Sequence, residues 1–425
     1  MLQTLRNAWR IEEIRKKILF TLLIVLLYRI GNAIPVPFVN TELLRQYFAY
    51  LQNTALGLLD AMSGGSFSNA TIFALSIQPY INASIIIQLL CIAIPALERM
   101  SKEEGEEGRK KIASITRYST VAIGLLQGFG YYMLMKNNGI IVADASSSVW
   151  AAIIIILTFT SGSALIMWLG EQITEFGVGN GISIILFASI ISRFPNSVIT
   201  SIQNVINGSL SWWAAVLVFL GALALIVLIV FVNDAERRIH VEYAKRVVGR
   251  KMYGGQSTHL PMKVNMSGVM PIIFASSISS IPATIAAFTG HSQSAWAKTN
   301  TIPYAIIYLL LIIFFAYFYS TIQFNPIEVA NNLKKNGGYI PGFRPGKPTS
   351  EFIQRVLNKI TLFGAIYLGI IAVTPILVSH FSNAAALTGL SLGGTSIIIV
   401  VGVALETVRA IEAQMLMRNY KGFLS

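Results

Sequence analysis

Residues 212–232 read WWAAVLVFLGALALIVLIVFV, a run without a charged side chain. An α-helix rises about 1.5 Å per residue, so a run of about 20 residues matches a hydrocarbon core about 30 Å thick. The run is continuously apolar, whereas a strand of a membrane barrel alternates with period two. Backbone in hydrocarbon must satisfy its own hydrogen bonds, which leaves the helix. We therefore predict a membrane-spanning helix at 212–232.

Comparable apolar runs recur along the whole chain. They lie approximately at 18–34, 76–94, 112–135, 149–170, 180–200, 266–288, 303–323, 357–379 and 392–411. The chain of 425 residues is 54% hydrophobic and only 12% charged, which is about half the charged share of soluble domains. The run at 180–200 is the weakest, because its apolar core is short and is followed by Arg193 and Pro195. The sequence predicts an all-α polytopic membrane protein with ten transmembrane helices.

Lysine and arginine are distributed unevenly between the connections. Of the 32 such residues, 27 lie before the first predicted helix, in the connections after the second, sixth and eighth, or in the tail. The opposite connections contain Arg45, Lys136, Arg193 and Lys298. Under the positive-inside rule, this excess predicts that both termini are cytoplasmic. The long basic connections exceed what orientation requires, which leaves room for a large anionic partner.

Two of the predicted cytoplasmic connections, about 233–265 and 324–356, contain patterns that predict local structure. Apolar and polar residues alternate from Arg238 to Tyr243 and glycines come after them, so the first connection is predicted to form a short hairpin. In the second, NGGYIPGFRPGKP at 336–348 cannot be helical, and its glycines and prolines present Arg344 between two rigid bends. A merely flexible linker is the alternative for the second.

The connection between the first two predicted helices is moderately apolar but interrupted. Within 54–75 it contains Asp60 and the run Ser63-Gly64-Gly65-Ser66. It is too short and too broken to cross a bilayer. We predict a re-entrant segment at about 54–75, since irregular backbone at membrane depth survives only inside protein or beside water. A loop lying on the surface is the alternative.

The predicted helices hold almost no ionisable residue at mid-membrane, unlike those of ion-coupled transporters and proton pumps. The string GLSLG at 389–393 fits a serine-hydrolase pattern, with His380 as a conceivable base, but it lies at a helix entrance rather than on a strand-to-helix turn. Cys91 is the only cysteine, which excludes a cysteine-based metal cluster. We predict no metal or cofactor site. A small-solute transporter and an intramembrane protease using Ser391 remain open as functions at this point.

Branched aliphatic residues recur at helical spacing in the predicted spans. Ile81 and Ile85 share one helix face, as do Leu186 and Ile190. Such side chains at a constriction exclude water and ions by dewetting, although ordinary packing is the alternative. Five helices followed by five predict halves at 1–205 and 206–425 with inverted topology and a pathway between them.

Eight segments, in order along essentially the whole chain, resemble the SecY family, the central subunit of the general protein-translocation channel. They are RKKILFTLLIVLLYRIGNAIPVP from Arg15, QPYINASIIIQLL from Gln78, GRKKIASITRY from Gly108, EQITEFGVGNGISIILFASI from Glu171, RRIHVEYAKR from Arg237, STHLPMKVNMSGVMPIIFASSI from Ser257, GGYIPGFRPGKPT from Gly337 and GGTSIIIVV from Gly393.

The resemblance implies two pseudo-symmetric inverted five-helix halves that form an hourglass channel with a plug, and a lateral gate chiefly between the second and seventh helices. By motif position, the pore ring falls on Ile81, Ile85, Leu186, Ile190, Ile273 and Ile399. Leu186 stands where isoleucine is more usual. The segment around 58–72 resembles the plug, with candidate residues Leu58, Leu59, Asp60, Ser63, Gly64, Gly65 and Phe67. We expect Phe67 to lie near the ring in the resting state.

The resemblance also implies a non-enzymatic function, with the energy supplied by a partner. The expected partners are the SecA motor, the ribosome, small membrane subunits of the SecE and SecG type, signal peptides with their nascent secretory or membrane proteins, and membrane lipid. Candidate docking residues are Arg237, Arg238, Lys245, Arg246, Arg250, Lys251, Arg344 and Lys347. The implied location is the bacterial cytoplasmic membrane.

Overall fold

The computed structural model describes residues 2–51, 54–102, 105–142, 148–208, 211–243, 246–248, 251–253, 257–288, 301–381 and 394–421. The helices are α1 (Leu2–Arg10), α2 (Glu12–Gly31), α3 (Thr41–Tyr50), α4 (Ala55–Met62), α5 (Gln78–Ala93), α6 (Pro95–Lys102), α7 (Gly105–Asn137), α8 (Val149–Phe176), α9 (Gly181–Ile206), α10 (Trp212–Asp234), α11 (Met270–Phe288), α12 (Ile302–Gln323), α13 (Pro326–Lys335), α14 (Lys347–Phe381) and α15 (Gly394–Lys421). The strands are β1 (Glu236–Tyr243), β2 (Arg246–Val248), β3 (Lys251–Tyr253), β4 (Ser257–Lys263) and β5 (Gly338–Tyr339).

A helix lies at each of the ten predicted positions. These helices are α2, α5, α7, α8, α9, α10, α11, α12, α14 and α15. Five helical stretches of the described chain are long and apolar enough to cross a membrane, and they are Val149–Phe176, Gly181–Ile206, Trp212–Asp234, Ile302–Lys335 and Lys347–Leu377. A sixth is the pair of α5 and the next helix along the chain, bent by 107°. The helix α2 is less apolar than these stretches, because its first six residues include five charged ones.

Several helices extend beyond the apolar runs that predicted them. The helix α9 continues through Pro195 to Ile206, and the side chain of Asn180 caps its first turn by accepting from two backbone N–H groups. Lys136 and Arg193 lie within α7 and α9, and Arg45 lies within α3, a short helix in the connection between α2 and α5. Helical hydrogen bonds run along the backbone, so a helix can continue past the end of an apolar run.

The helices pack in two groups that follow the order of the chain. In the first group, α7 packs against α5 and α8, and α8 also contacts α2 and α9. In the second, α12 packs against α11 and α14, and α15 contacts α10 and α14. Contacts between the groups include α9 with α15 and α5 with α11. The fold therefore has two bodies of helices that meet along at least two seams.

The re-entrant segment enters as the short helix α4 and returns as turns. On its return, Thr71 forms a bridge with Pro35, and backbone hydrogen bonds join Val36 to Ala70 and Ile72 to Ile34. The residues after α2 thus form an edge on which the segment is fixed. The described residues between 54 and 75 thus contain one helix of 8 residues, which is too short to cross a bilayer.

A small sheet forms from the two loops outside the helical bodies. The strand β1 pairs antiparallel with β4 from Glu236↔Lys263 to Glu242↔Ser257, and its other edge pairs with β5. The strands β2 and β3 pair antiparallel as a separate two-stranded sheet. The pairing of β1 with β4 agrees with the hairpin that the alternation predicted. Beneath the sheet lies an apolar cluster of Ile239, Val241, Met262, Leu333, Ile340, Ile353 and Leu357, which joins the sheet to α13 and α14.

Candidate functional site

Six aliphatic side chains that were predicted to line a pore lie in one buried cluster. They project from α5, α9, α11 and α15, each is at most 3% exposed, and they are Ile81, Ile85, Leu186, Ile190, Ile273 and Ile399. We call these six residues the aliphatic collar. Met62, at the end of α4, belongs to the same cluster. The fold therefore brings the collar residues of both helical bodies into one apolar region that the re-entrant segment touches.

The contact between α5 and α11 contains a buried hydrogen bond. Gln78 Nε2 donates to Ser277 Oγ at 3.1 Å. One turn along α5, Asn82 is buried, and its side-chain oxygen finds no hydrogen-bond partner in the part of the chain that the structure describes. A polar hydrogen bond between membrane helices contributes about 0.6 kcal/mol on average. This single hydrogen bond therefore stabilises the contact between α5 and α11 only modestly.

The re-entrant segment contains a buried charge with two partners. Asp60 Oδ2 lies 2.7 Å from Arg193 Nη2 on α9, and Asp60 Oδ1 accepts from the backbone N–H of Ser68 at 2.7 Å. The Asp60 side chain is 8% exposed and that of Arg193 is 38% exposed. A carboxylate this buried is tolerated only when it is paired and hydrogen-bonded. Asp60 thus links α4, the return of the segment and α9.

Two glycines let the re-entrant segment approach α9 closely. Gly64 has a φ of +72°, and a Cβ at this position would lie 2.7 Å from the carbonyl oxygen of Ser189. Gly65 has a φ of +85° and lies against the Arg193 side chain. Ser63 Oγ accepts from the backbone N–H of Phe67 and donates to the Asp60 carbonyl oxygen, which fixes the turn. The glycines that interrupt the apolar run are therefore what allows the segment to dock.

The later part of the re-entrant segment packs among aromatic rings. Phe67 stacks on Tyr131 with ring centroids 4.2 Å apart, and Phe48 meets it edge-on at 5.3 Å. The Tyr131 hydroxyl donates to the Phe67 carbonyl oxygen. Phe67 belongs to this second cluster, whereas Met62 belongs to that of the collar. The turn at 63–66 directs the subsequent residues toward α3 and α7.

Four candidate docking side chains are exposed on the sheet and its neighbouring loop, and they are Arg237, Arg238, Arg344 and Lys347. Thr349 Oγ1 donates to the Arg344 carbonyl oxygen at 2.8 Å, and Phe343 stacks on Phe352 at 4.2 Å. These contacts hold the loop against the first turns of α14, which begins at Lys347. Lys245 and Arg250 lie outside the described residues, and for Leu58, Arg246 and Lys251 the structure describes the backbone alone.

The two loops of the sheet are joined by a charged hydrogen bond. Tyr339 OH donates to Glu242 Oε2 at 2.6 Å. This bond lowers the pKa of Glu242 and raises the pKa of Tyr339. His240 also lowers the pKa of Glu242, by a hydrogen bond and by its charge. The strand β1 and the loop that carries Arg344 are therefore connected by side chains as well as by the pairing of β1 with β5.

Within the described ranges, no group of three or more His, Cys, Asp or Glu residues is placed to hold a metal ion. The GLSLG string lies outside the described residues, and of His380 the structure describes only the backbone. What the described part of the chain does offer is an apolar collar, a docked re-entrant segment and a basic surface.

The SecY family model matches residues 71–408 of this chain. The chain belongs to the SecY family. Protein translocase subunit SecY of Streptomyces scabiei is 44% identical over the full length of both chains. The similarity to the SecY family therefore extends over the whole chain, as the eight segments indicated.

Solved structures share the fold at low sequence identity. One described as a protein-conducting channel matches with a TM-score of 0.66 at 17% identity, covering 95% of this chain and 93% of that chain. Sec61 in a canine ribosome–channel complex from the endoplasmic reticulum matches with a TM-score of 0.63 at 16% identity, covering 95% and 93%. This SecY-family chain thus shares the overall fold of these structures.

Sequence reasoning missed the partners of the polar residues in this SecY-family fold. The pairing of Asp60 with Arg193 joins residues 133 positions apart, and the bond from Gln78 to Ser277 joins residues 199 positions apart. The available signal was chemical: an acidic residue inside an apolar segment needs a cation, and Arg193 interrupts an apolar run. The sequence alone did not say that these two interruptions meet.

Proposed function

We propose that this chain is the protein-conducting channel of a translocase, through which unfolded secretory polypeptides cross the membrane. The relation to protein translocase subunit SecY of Streptomyces scabiei supports this function. The observation that carries it is the aliphatic collar, which gathers six aliphatic side chains from both helical bodies beside the re-entrant segment. A chain of mixed chemistry passes most easily through a constriction that binds none of its side chains strongly.

The channel has ten transmembrane helices in two inverted halves, 1–205 and 206–425, that enclose an hourglass-shaped pathway. Helices at all ten predicted positions support this architecture, as do the two groups in which they pack. The excess of lysine and arginine in alternate connections supports cytoplasmic termini. The location is the bacterial cytoplasmic membrane.

The collar forms the narrowest point, and the re-entrant segment is the plug. Branched aliphatic side chains do not replace the hydration shell of an ion, so a narrow collar stays dry and resists ion flow. The same side chains move aside for an extended polypeptide, because dispersion contacts are weak individually and have no fixed partner. The contact of Met62 with the collar cluster supports a plug that seals the closed state.

The seam between α5 and α11 is the lateral gate, through which hydrophobic segments pass into lipid. The seam joins the two halves, and it contains the hydrogen bond from Gln78 to Ser277. An apolar segment that enters the seam replaces contacts of this modest strength with its own burial in lipid and protein. Parting these two helices therefore connects the pathway to the bilayer.

Driving force comes from partners at the cytoplasmic surface. The exposed cations on the sheet and the adjoining loop suit the anionic surfaces of a SecA-type motor and of ribosomal RNA. One relative in fold is a channel bound to a ribosome. Small membrane subunits of the SecE and SecG type complete the assembly around the lipid-exposed helices, of which α10 is the most apolar.

Transport by reconstituted vesicles tests this function. Vesicles that contain the chain with its SecE and SecG subunits, supplied with SecA, ATP and a radiolabelled precursor, are predicted to make the precursor resistant to added protease. Vesicles without this chain are the control. A precursor that stays fully sensitive to protease in both preparations would contradict the function.

A further inference from the structure

The pairing of Asp60 with Arg193 lies directly beside the aliphatic collar. Ile190 and Arg193 are three residues apart on α9, so they share a face of that helix. Ile190 belongs to the collar cluster together with Met62, and Met62 is two residues after Asp60. The ion pair and the apolar contact therefore hold residues 60–62 of the re-entrant segment against one face of α9.

The geometry of this attachment is specific. Asp60 uses one carboxylate oxygen for Arg193 and the other for the backbone N–H of Ser68, both at 2.7 Å. The absent side chain of Gly64 admits the Ser189 carbonyl oxygen, and Gly65 lies against the guanidinium. The segment thus contacts α9 through an ion pair and close packing, and a hydrogen bond within the segment orients Asp60.

Other polar contacts attach the segment to the same half of the chain. Arg45 Nε on α3 donates to Asn69 Oδ1 at 2.5 Å, and Tyr131 on α7 donates to the carbonyl oxygen of Phe67. The helices α3, α7 and α9 all lie within the first 206 residues. The helix α4 also contacts α11, which lies in the other half. Separation of the halves would therefore break the contact with α11 first and leave Asp60 with Arg193.

We propose that Arg193 is the residue that positions the plug, and that its ion pair with Asp60 is a latch that must separate before the plug leaves α9. This inference rests on the proposed channel function and adds the named latch to it. Removing Arg193 leaves the buried Asp60 carboxylate without its cation, which is unfavourable, and removing Asp60 leaves the partly exposed Arg193 without its anion. Either single neutral variant is therefore expected to shift the resting channel toward a displaced plug.

Ion flux through vesicles in the absence of precursor measures this shift. We expect Asp60→Asn and Arg193→Gln each to raise resting flux roughly tenfold, which corresponds to about 1.4 kcal/mol in the closed–open equilibrium. Arg193→Lys retains the charge and is expected to stay within about twofold of the unmodified protein. The control is Glu12→Gln, which removes the exposed ion pair with Lys16 far along the chain from the plug and is expected to leave flux unchanged.

A charge swap separates a latch from a general folding defect. The double variant Asp60→Arg/Arg193→Asp is expected to recover at least half of the lost closure, and its thermal unfolding in detergent checks that it folds. Resting flux at the unmodified level in both folded single variants would overturn the latch. So would a folded swap that leaks as much as the single variants.

Precursor import by the same vesicles distinguishes this failure from that of the channel. If the unmodified chain imports precursor and the neutral variants do not leak, the latch is wrong and the channel function stands. If the unmodified chain imports nothing, the channel function itself fails. With a functioning latch, the leaking variants are also expected to import a precursor whose signal peptide has been weakened.

Discussion

Gln78 on α5 and Ser277 on α11 are joined by a hydrogen bond of 3.1 Å across the seam between the two helical bodies. Apart from this contact the two residues belong to separate parts of the sequence, 199 positions apart. The bond marks where the bodies touch on the side that we assign to the lateral gate. If the gate opens there, a covalent link between the two helices must stop transport.

The seam can be tested by tethering it. In a chain with Cys91→Ser, the pair Gln78→Cys/Ser277→Cys is linked with a short cleavable bis-maleimide, and precursor import is measured before and after cleavage. We expect the linked protein to lose import and to regain it on cleavage, because α5 and α11 can no longer part.

The matched control for the tether lies within one half. Tyr317 on α12 donates to the carbonyl oxygen of Asn358 on α14 at 3.2 Å, in an exposed hydrogen bond. The pair Tyr317→Cys/Asn358→Cys, linked in the same way, is expected to keep full import. Equal import by the linked seam pair and by this control would show that the seam does not open.

A second prediction concerns the close approach of the plug to α8. A Cβ at Gly162 would lie 2.0 Å from the carbonyl oxygen of Ile72, whereas Gly221 in α10 has open space around it. Gly162→Ala is expected to lower the free energy of unfolding by about 1–3 kcal/mol, since backbone must move. Gly221→Ala is expected to be neutral or stabilising by up to about 1 kcal/mol. Thermal unfolding of the two variants in one detergent checks this, and equal shifts would contradict the packing described.

The helices were predictable from the sequence because hydropathy is a local property. Each apolar run, including the weak one at 180–200, became a helix, and the alternation from Arg238 to Tyr243 became a strand. The residues at the ends of the apolar runs were less predictable. Arg193 interrupts the pattern, and only the fold shows that the helix continues through it and that its charge meets Asp60.

The resemblance to a family supplied the collar positions, which periodicity alone left open. Ile273 and Ile399 are two of many buried aliphatic residues, and no local pattern separates them from ordinary core. The packing of Phe67 on Tyr131 could not be read from its position near the glycines, because Gly64 and Gly65 both adopt left-handed backbone conformations that redirect the chain. Long-range side-chain partners and irregular turns thus set the limit of the sequence-based interpretation.

A third prediction tests the cytoplasmic loop. Arg344→Glu is expected to reduce SecA-driven import by more than about tenfold, since a like-charge contact at an interface costs several kcal/mol. The protein should still fold, because Arg344 is exposed and its carbonyl oxygen keeps the bond from Thr349. Arg355→Glu on α14 reverses another exposed cation and is the control. Import that is equal in the two variants would contradict the docking role of Arg344.

A fourth prediction concerns the seal that the collar provides. Exchanging Ile85 and Ile190 together for serine introduces hydroxyls that hold water, so resting ion flux should rise several-fold. Val227→Ser, on an exposed face of α10, is the control and should leave flux unchanged. Unchanged conductance in the collar variant, with normal unfolding, would count against a dry constriction.

The most direct test of the channel is where a polypeptide in transit touches it. A photoreactive residue is placed at 85, at 190 or at the lipid-facing position 227, and a secretory chain is stalled halfway through import before illumination. We predict that the stalled chain crosslinks at 85 and at 190 and not at 227. Crosslinks that are absent at both collar positions, or no stronger there than at 227, would contradict a pathway through the aliphatic collar.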